Sequence, residues 1–194
     1  MRPLLCCALL FGLLGCASES APAYYALELP GSEPPSRQVT QGPLLVVERV
    51  ALPEYLNDMG IAFQQDDVQV VTANQARWAE ALDQQLTRSL VQSLSRQFDQ
   101  IQVVEGPHPD RQIWHLSLEV TGFQGRFDGQ AVVAGRWLLQ RGEQSYSQAF
   151  QRTVPLTEDG YPALVRGLRT GWQQELALLA KGIGVSLETA KKSS

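Results

Sequence analysis

Apolar side chains in this chain change their spacing twice, from every fourth residue to every second and back again. Trp78, Leu82, Leu86, Leu90, Leu94 and Phe98 recur at intervals of four, with Arg77, Asp83, Gln84, Arg88 and Gln92 on the other faces. That period predicts an amphipathic helix ending near Gln97, its start capped by Thr72 with Gln75 or by Asn74. From residue 114 the spacing becomes two. Trp114, Leu116, Leu118 and Val120 alternate with His115, Ser117, Glu119 and Thr121; Val133, Gly135, Trp137 and Leu139 share a face, as do Tyr146, Phe150 and Val154. Such alternation marks half-buried antiparallel strands, with Asp128-Gly129 as a hairpin signal between the first two. Tyr161, Leu164, Leu168, Trp172, Leu176, Leu179 and Ile183 then return to helical spacing, with Gly182 and Gly184 as stop signals. The expected fold class is α+β: a mostly antiparallel or mixed β-sheet packed by two long amphipathic helices.

Upstream, YYALELP (24–30) reads as a first strand and LLVVERVALP (44–53) as a β-branched strand closed by Pro53. IAFQQ and VQVVT predict a hairpin with Asp66-Asp67 at its tight end, and IQVV a short strand after the first helix. GSEPPSRQVTQGP (31–43) is a Pro/Gly/Ser loop. One domain is expected over 24–184, with 185–194 as a flexible polar tail.

The N-terminus carries an address. Residues 4–14 form an apolar run of 11 residues behind a single Arg2, whereas a membrane span needs roughly 20. The run is therefore a signal peptide (1–15) rather than a transmembrane helix. Its ending, Leu13, Gly15 and Cys16, matches a bacterial lipobox, with Leu14 larger than usual at its position. In that reading Cys16 is acylated and becomes the first mature residue. Cys6 and Cys7 leave with the signal peptide, so acylation accounts for the remaining cysteine without a disulfide partner. Two or three acyl chains, at about 0.8 kcal/mol per methylene, anchor stably where one does not. Ala17 and Ser18, in place of a retaining aspartate, favour the outer membrane, at its periplasmic face. Residues 16–23 are then a lipidated tether; the eight steps from Cys16 to Tyr24 reach at most roughly 27 Å.

Charge and chemistry narrow the function. Without Arg2 the mature chain carries 15 basic and 20 acidic residues, a net charge of −5. Thirteen of the 16 basic residues are arginines scattered singly, which argues against nucleic acid, whose footprint is a basic stripe. No zinc-like spacing, G-x-S-x-G elbow or phosphate-cradling glycine loop is present. His108 sits between prolines in a loop and His115 on a polar strand face. Asp66-Asp67 and Glu158-Asp159 read as solvated turn residues. No catalytic residue, metal ligand or cofactor is expected beyond a covalent lipid on Cys16.

Binding is the better class. Tyr55, Leu56, Met59, Ile61 and Phe63 gather around a predicted turn, which marks a partner or self-association surface unless the turn folds back onto the core. Small residues opposite the apolar face of the strands make a low-relief face suited to packing, with plain solvent exposure as the alternative. Ala163, Gly167 and Gly171 form a smooth helical strip, expected to pack tightly on the chain's own sheet.

YYALELP, VERVALPEYLNDMGI, ANQARWAEALDQQLTRSLVQSLSRQ, GFQGRFDGQAVVAGRWLL and DGYPALVRGLRTGWQQELALLA occur in order from Tyr24 to about Lys181. In this the chain resembles the ABC-type transport auxiliary lipoproteins. The most specific pieces are Leu52-Pro53 with Tyr55-Leu56, Trp78-Ala79 with Leu82, and the hairpin from Gly125 to Leu139. The resemblance implies an outer-membrane lipoprotein, a homo-oligomer, that receives an MCE-domain, periplasm-spanning protein of the inner membrane, for lipid movement between membranes and envelope integrity. A carrier holding an acyl chain in its own cavity and a structural envelope lipoprotein are the competing readings.

Overall fold

The three alternating segments form the backbone of the molecule as β6 (Trp114–Arg126), β7 (Gln130–Arg141) and β8 (Gln144–Pro155), an antiparallel meander. The computed structural model describes residues 21–28 and 42–192, with side chains up to Leu187. Before the meander come β1 (Ala23–Tyr25), β2 (Leu44–Val47), β3 (Gly60–Gln64), β4 (Val70–Trp78), α1 (Leu82–Gln97) and β5 (Gln102–Glu105); α2 (Tyr161–Lys192) closes the chain. Cys16 and most of the 31–43 loop lie outside the described residues.

Strand β6 organises the rest because both of its edges are used. One pairs with β7 along its whole length. The other pairs in parallel with β2 at residues 114–116 and with β3 at 125–126. Between them the irregular segment 48–52 follows the same edge through Ala51 N–H to the Leu118 carbonyl and Val120 N–H to the Ala51 carbonyl, both 2.9 Å. β5 extends the sheet beyond β2, and β4 then β1 extend it beyond β3. The sheet is mixed, as expected. A bulge between Val120 and Gly122 shifts the inward set from Trp114, Leu116, Leu118 and Val120 to Phe123 and Gly125.

Both helices cover one face. Leu82, Leu86, Leu90 and Leu94 of α1 and Leu164, Leu168, Trp172, Leu176, Leu179 and Ile183 of α2 join one core with the inward side chains of the strands. Close approach of α2 depends on its small strip. A Cβ at Gly167 would lie 3.0 Å from Ala131 Cβ, and one at Gly171 3.2 Å from Val133 Cγ2. The strip thus serves the chain's own sheet.

Four boundaries differ from the sequence reading. The first strand covers only Ala23–Tyr25, and residues 26–28, expected to continue it, leave the sheet as Leu27 turns into the core. Residues 74–78 belong to β4, and α1 starts at Leu82 behind Ala81. Trp78 shares the helix period by coincidence of spacing, but Ala76 and Trp78 alternate inward and pair with β1, and Trp78 N–H donates to the Met59 carbonyl at 2.7 Å. β2 stops at Val47, where Glu48 and Arg49 break the apolar run. α2 continues through Gly182 and Gly184 to Lys192, so residues 185–192 extend the helix instead of forming a free tail. Neither glycine adopts positive φ, and Gly182 stands where a Cβ would meet the Trp137 ring at 3.2 Å.

Candidate functional site

The segment from Pro53 to Phe63 runs back along the sheet. After a 3₁₀ turn at Glu54–Leu56, the Asp58 carboxylate accepts from Gly60 N–H at 3.0 Å and sets the reversal into β3. Of the five residues expected to form a contact surface, Leu56 and Ile61 are interior, at 2% and 0% exposure. Tyr55, Met59 and Phe63 are half-buried against the same core. The expected apolar surface is therefore corrected at Leu56 and Ile61. Two local features draw the turn inward. The bulge at Thr121 leaves a carbonyl that accepts from the Tyr55 hydroxyl at 2.9 Å, and Gly125 leaves room for the Phe63 ring, whose Cδ2 a Cβ there would approach to 2.6 Å. Burial raises the Tyr55 pKa above its usual 10.0.

The helix-free face of the meander has low relief. Its cross-strand rows are Ser117, Leu138 and Ser147, then Glu119, Arg136 and Ala149, then Gly122, Ala134 and Gln151. Arg136 and Glu119 pair at 3.0 Å, both largely exposed, an arrangement that contributes little to stability. β8 borders this face and, among the described residues, has no strand on its outer side. A free edge of this length presents unpaired backbone groups to another chain.

At the opposite end of the sheet from the 127–129 turn, an open cleft of about 610 Å³ lies between the ends of α1 and α2 and the starts of β2 and β6. Leu45, Phe98, Ile101, Trp114 and Leu187 make its apolar walls, and the Arg141 guanidinium stands 4.9 Å from the Trp114 ring centroid.

A second, polar recess of about 400 Å³ gathers Glu48, His108, Arg111 and His115 on the helix-free side. His108, His115 and Glu48 each have a local partner. His115 Nε2 meets the Asp110 carbonyl at 2.8 Å, His108 Nδ1 accepts from Asp110 N–H at 3.3 Å, and Glu48 accepts from Ser117 Oγ at 2.6 Å. Because the serine bonds the carboxylate directly and His115 bonds backbone, the imidazole is not interposed as a nucleophile–base–acid relay requires. No group of three His, Cys, Asp or Glu among the described residues is placed to hold a metal. No described helix is long and apolar enough to cross a membrane.

Buried polar residues of α1 instead hold the fold together. Gln85 Oε1 accepts from Leu27 N–H at 2.9 Å, Thr87 Oγ1 accepts from Val50 N–H at 2.9 Å, and Ser89 Oγ accepts from Trp172 Nε1 at 2.6 Å. Sequence reading passed over all three. Gln85 and Ser89 fall three residues after Leu82 and Leu86, inside the apolar stripe, which was the available signal.

An α+β domain whose inner face is filled, and whose distinctive features are a smooth face, a free edge and a cleft, has the make-up of an accessory domain that presents surfaces. The chain belongs to the ABC-type transport auxiliary lipoproteins, whose family model matches residues 25–180. It is 39% identical over 172 residues to the intermembrane transport lipoprotein PqiC of Escherichia coli (strain K12), covering 88% of this chain and 91% of that one, with the same figures for PqiC of Shigella flexneri. A crystal structure of an uncharacterized protein, 38% identical, superimposes with a TM-score of 0.74 over 84% of this chain and 99% of its own. A crystal structure from Xanthomonas campestris shares the fold at 16% identity, with a TM-score of 0.68 over 89% of this chain and 97% of that one.

Proposed function

We propose that this chain is the outer-membrane lipoprotein subunit of an MCE-type intermembrane lipid transport system. Cys16 carries the acyl anchor, and the folded domain, as a homo-oligomer, receives the tip of a PqiB-like MCE-domain protein anchored in the inner membrane. The observation that carries this reading is the similarity to PqiC along nearly the full length of both chains. Supporting it, a tether of at most roughly 27 Å keeps the domain at its membrane, so the connection to the other membrane falls to a partner. The low-relief face of β6–β8 and the free edge of β8 are the surfaces offered for assembly. The role is non-enzymatic.

The test is the mass in solution of residues 17–194, alone and with the periplasmic part of the MCE partner. The wild-type domain is expected to form a defined oligomer that captures the partner. Ser147→Arg/Ala149→Arg, both at exposed β8 positions, is expected to lose one of these properties while keeping its helical circular dichroism. A monomer indifferent to the partner would overturn the proposal.

The apolar cleft beneath Arg141 favours a second reading, a lipid carrier, since walls of this kind with one cation at the rim suit an acyl chain and its headgroup. Mass spectrometry of natively purified protein would find lipid that Ile101→Trp excludes.

A further inference from the structure

The turns of two hairpins meet at one end of the sheet. Phe63 pairs with Gly125 and Gln64 with Arg126, so the β3–β4 turn lies beside the β6–β7 turn. Both turns are firmly built. Asp66 accepts from the N–H groups of Val68 and Gln69 at 2.9 and 2.8 Å, and Gly129, at φ +75°, closes the other turn with its N–H on the Arg126 carbonyl at 3.0 Å. Such fixed turns would ordinarily carry polar tips. Instead Val68 is 87% exposed, Phe127 55% and the adjoining Val70 42%, which places at this one end three of the six large apolar side chains exposed among the described residues.

The chain enters β1 from the direction of the same end. β1 runs parallel to β4, with Ala23 opposite Ala76 and Tyr25 opposite Trp78, and β4 starts from the hairpin turn at Val70. Residues preceding Ala23 therefore come from the side of the turns. From Arg77, the partner of Tyr24, back to Val70 is seven residues, about 24 Å of strand. The eight steps from Cys16 to Tyr24 span at most roughly 27 Å. The two lengths match, so an acylated Cys16 has enough chain to stand at the level of the exposed turns.

We infer that this end of the domain faces the membrane, and that Val68, Val70 and Phe127 enter the interfacial layer of the lipid that Cys16 anchors. The inference rests on the reading of Cys16 as acylated. The charge of this end selects the kind of surface. Asp66, Asp67, Asp128, Glu158 and Asp159 lie on its turns, while Arg126 is paired with Asp128 and Arg166 with Glu158. Excess acid disfavours an anionic bilayer, so the matching surface is zwitterionic phospholipid. With the turns toward the lipid, the apolar cleft at the far end of β6 opens away from the membrane, and the free edge of β8 stands along the membrane normal.

The experiment uses the full chain purified from membranes and reconstituted into vesicles of phosphatidylcholine and phosphatidylethanolamine. Its N-terminal peptide is first weighed by mass spectrometry. Val68→Cys and Phe127→Cys, at exposed positions outside the core, then carry a polarity-sensitive fluorophore, with Leu178→Cys on α2 as the control. Quenching by nitroxide-labelled lipid is expected to be several-fold stronger at 68 and 127 than at 178. An acyl mass on Cys16 with equal quenching at all three sites would overturn the membrane-facing end while leaving the anchor standing. An unmodified Cys16 would overturn both. A fluorescence shift at 127 that appears on addition of a protein partner, without lipid quenching, would assign the end to that partner and equally overturn the inference.

Discussion

Inside the core, Trp172 Nε1–H donates to Ser89 Oγ at 2.6 Å, and the indole meets Phe123 at a centroid distance of 6.4 Å, edge-on, while Phe123 leans on Trp78 at 6.1 Å. Four elements, α1, α2, β4 and β6, are joined through these contacts. Trp172→Phe keeps most of the buried area and loses the bond, for a cost of about 1–2 kcal/mol; Trp172→Ala adds a cavity and costs about 3–5 kcal/mol. Urea denaturation measures both. Arg152 Nε holds Glu175 at 2.9 Å, and the carboxylate side chain is 3% exposed against 39% for the arginine. Arg152→Met strands a buried charge; since the arginine is partly solvated, the expected loss is about 1–3 kcal/mol at neutral pH, largely restored by adding Glu175→Leu. Tyr55 supplies a pH dependence. Its folded pKa is raised by burial, so the folded state holds the phenolic proton more tightly than the unfolded one. The resulting stability is complete below pH 10 and is lost as pH rises through the folded value. Tyr55→Phe is expected to flatten that alkaline decline, read as the pH dependence of the denaturation midpoint.

Among the elements, α2 depends most on what it lacks. Gly167 and Gly171 let it lie on β7, and side chains there would collide with Leu156, Ala131, Val133 and Val154. Gly171→Leu should lift the helix and cost about 1–3 kcal/mol, with reduced near-ultraviolet circular dichroism as the tryptophans lose their fixed setting. The C-terminal turns of α2 are structural as well. Ile183 is fully buried and Leu187 packs against the core. A stop after Gly182 removes both, and the loss of Ile183 alone is expected to cost about 1.5–3 kcal/mol. Had residues from 185 been the free tail that their polarity implies, a stop after Gly184, which removes Leu187 but keeps Ile183, would be silent.

At the scale of the molecule, one core runs from Leu27 to Ile183 through both helices and the sheet. Unfolding is therefore expected as a single transition, with tryptophan fluorescence and far-ultraviolet circular dichroism coinciding. That continuity also bears on function. With the core side chains packed on one another, the surfaces left for the proposed assembly are the smooth face, the β8 edge, the cleft and the exposed turns. Family membership rests on residues 25–180, nearly the same span as this core.

Local pattern by itself determined the elements whose side chains repeat at one period: β6 up to its bulge, β7, β8, the body of α1, the apolar stripe of α2 and the Asp66-Asp67 hairpin. The lipobox pattern ending at Cys16 is likewise a linear signal, and acylation there remains a proposal because Cys16 lies outside the described residues. Tertiary contacts decided everything where two periods overlap or a partner lies far along the chain. Trp78 fits both a helix and a strand, and only its hydrogen bond to Met59 and the pairing of its strand with β1 resolve it. Gly182 signals a stop, yet the Trp137 ring beside it makes closeness the greater need. Leu56 and Ile61 look exposed because the segment looks like a turn, and they are interior because the Thr121 bulge and Gly125, more than 60 residues away, receive their neighbours Tyr55 and Phe63. Side-chain spacing reports which faces are apolar; which apolar faces meet is settled by packing between elements distant in sequence.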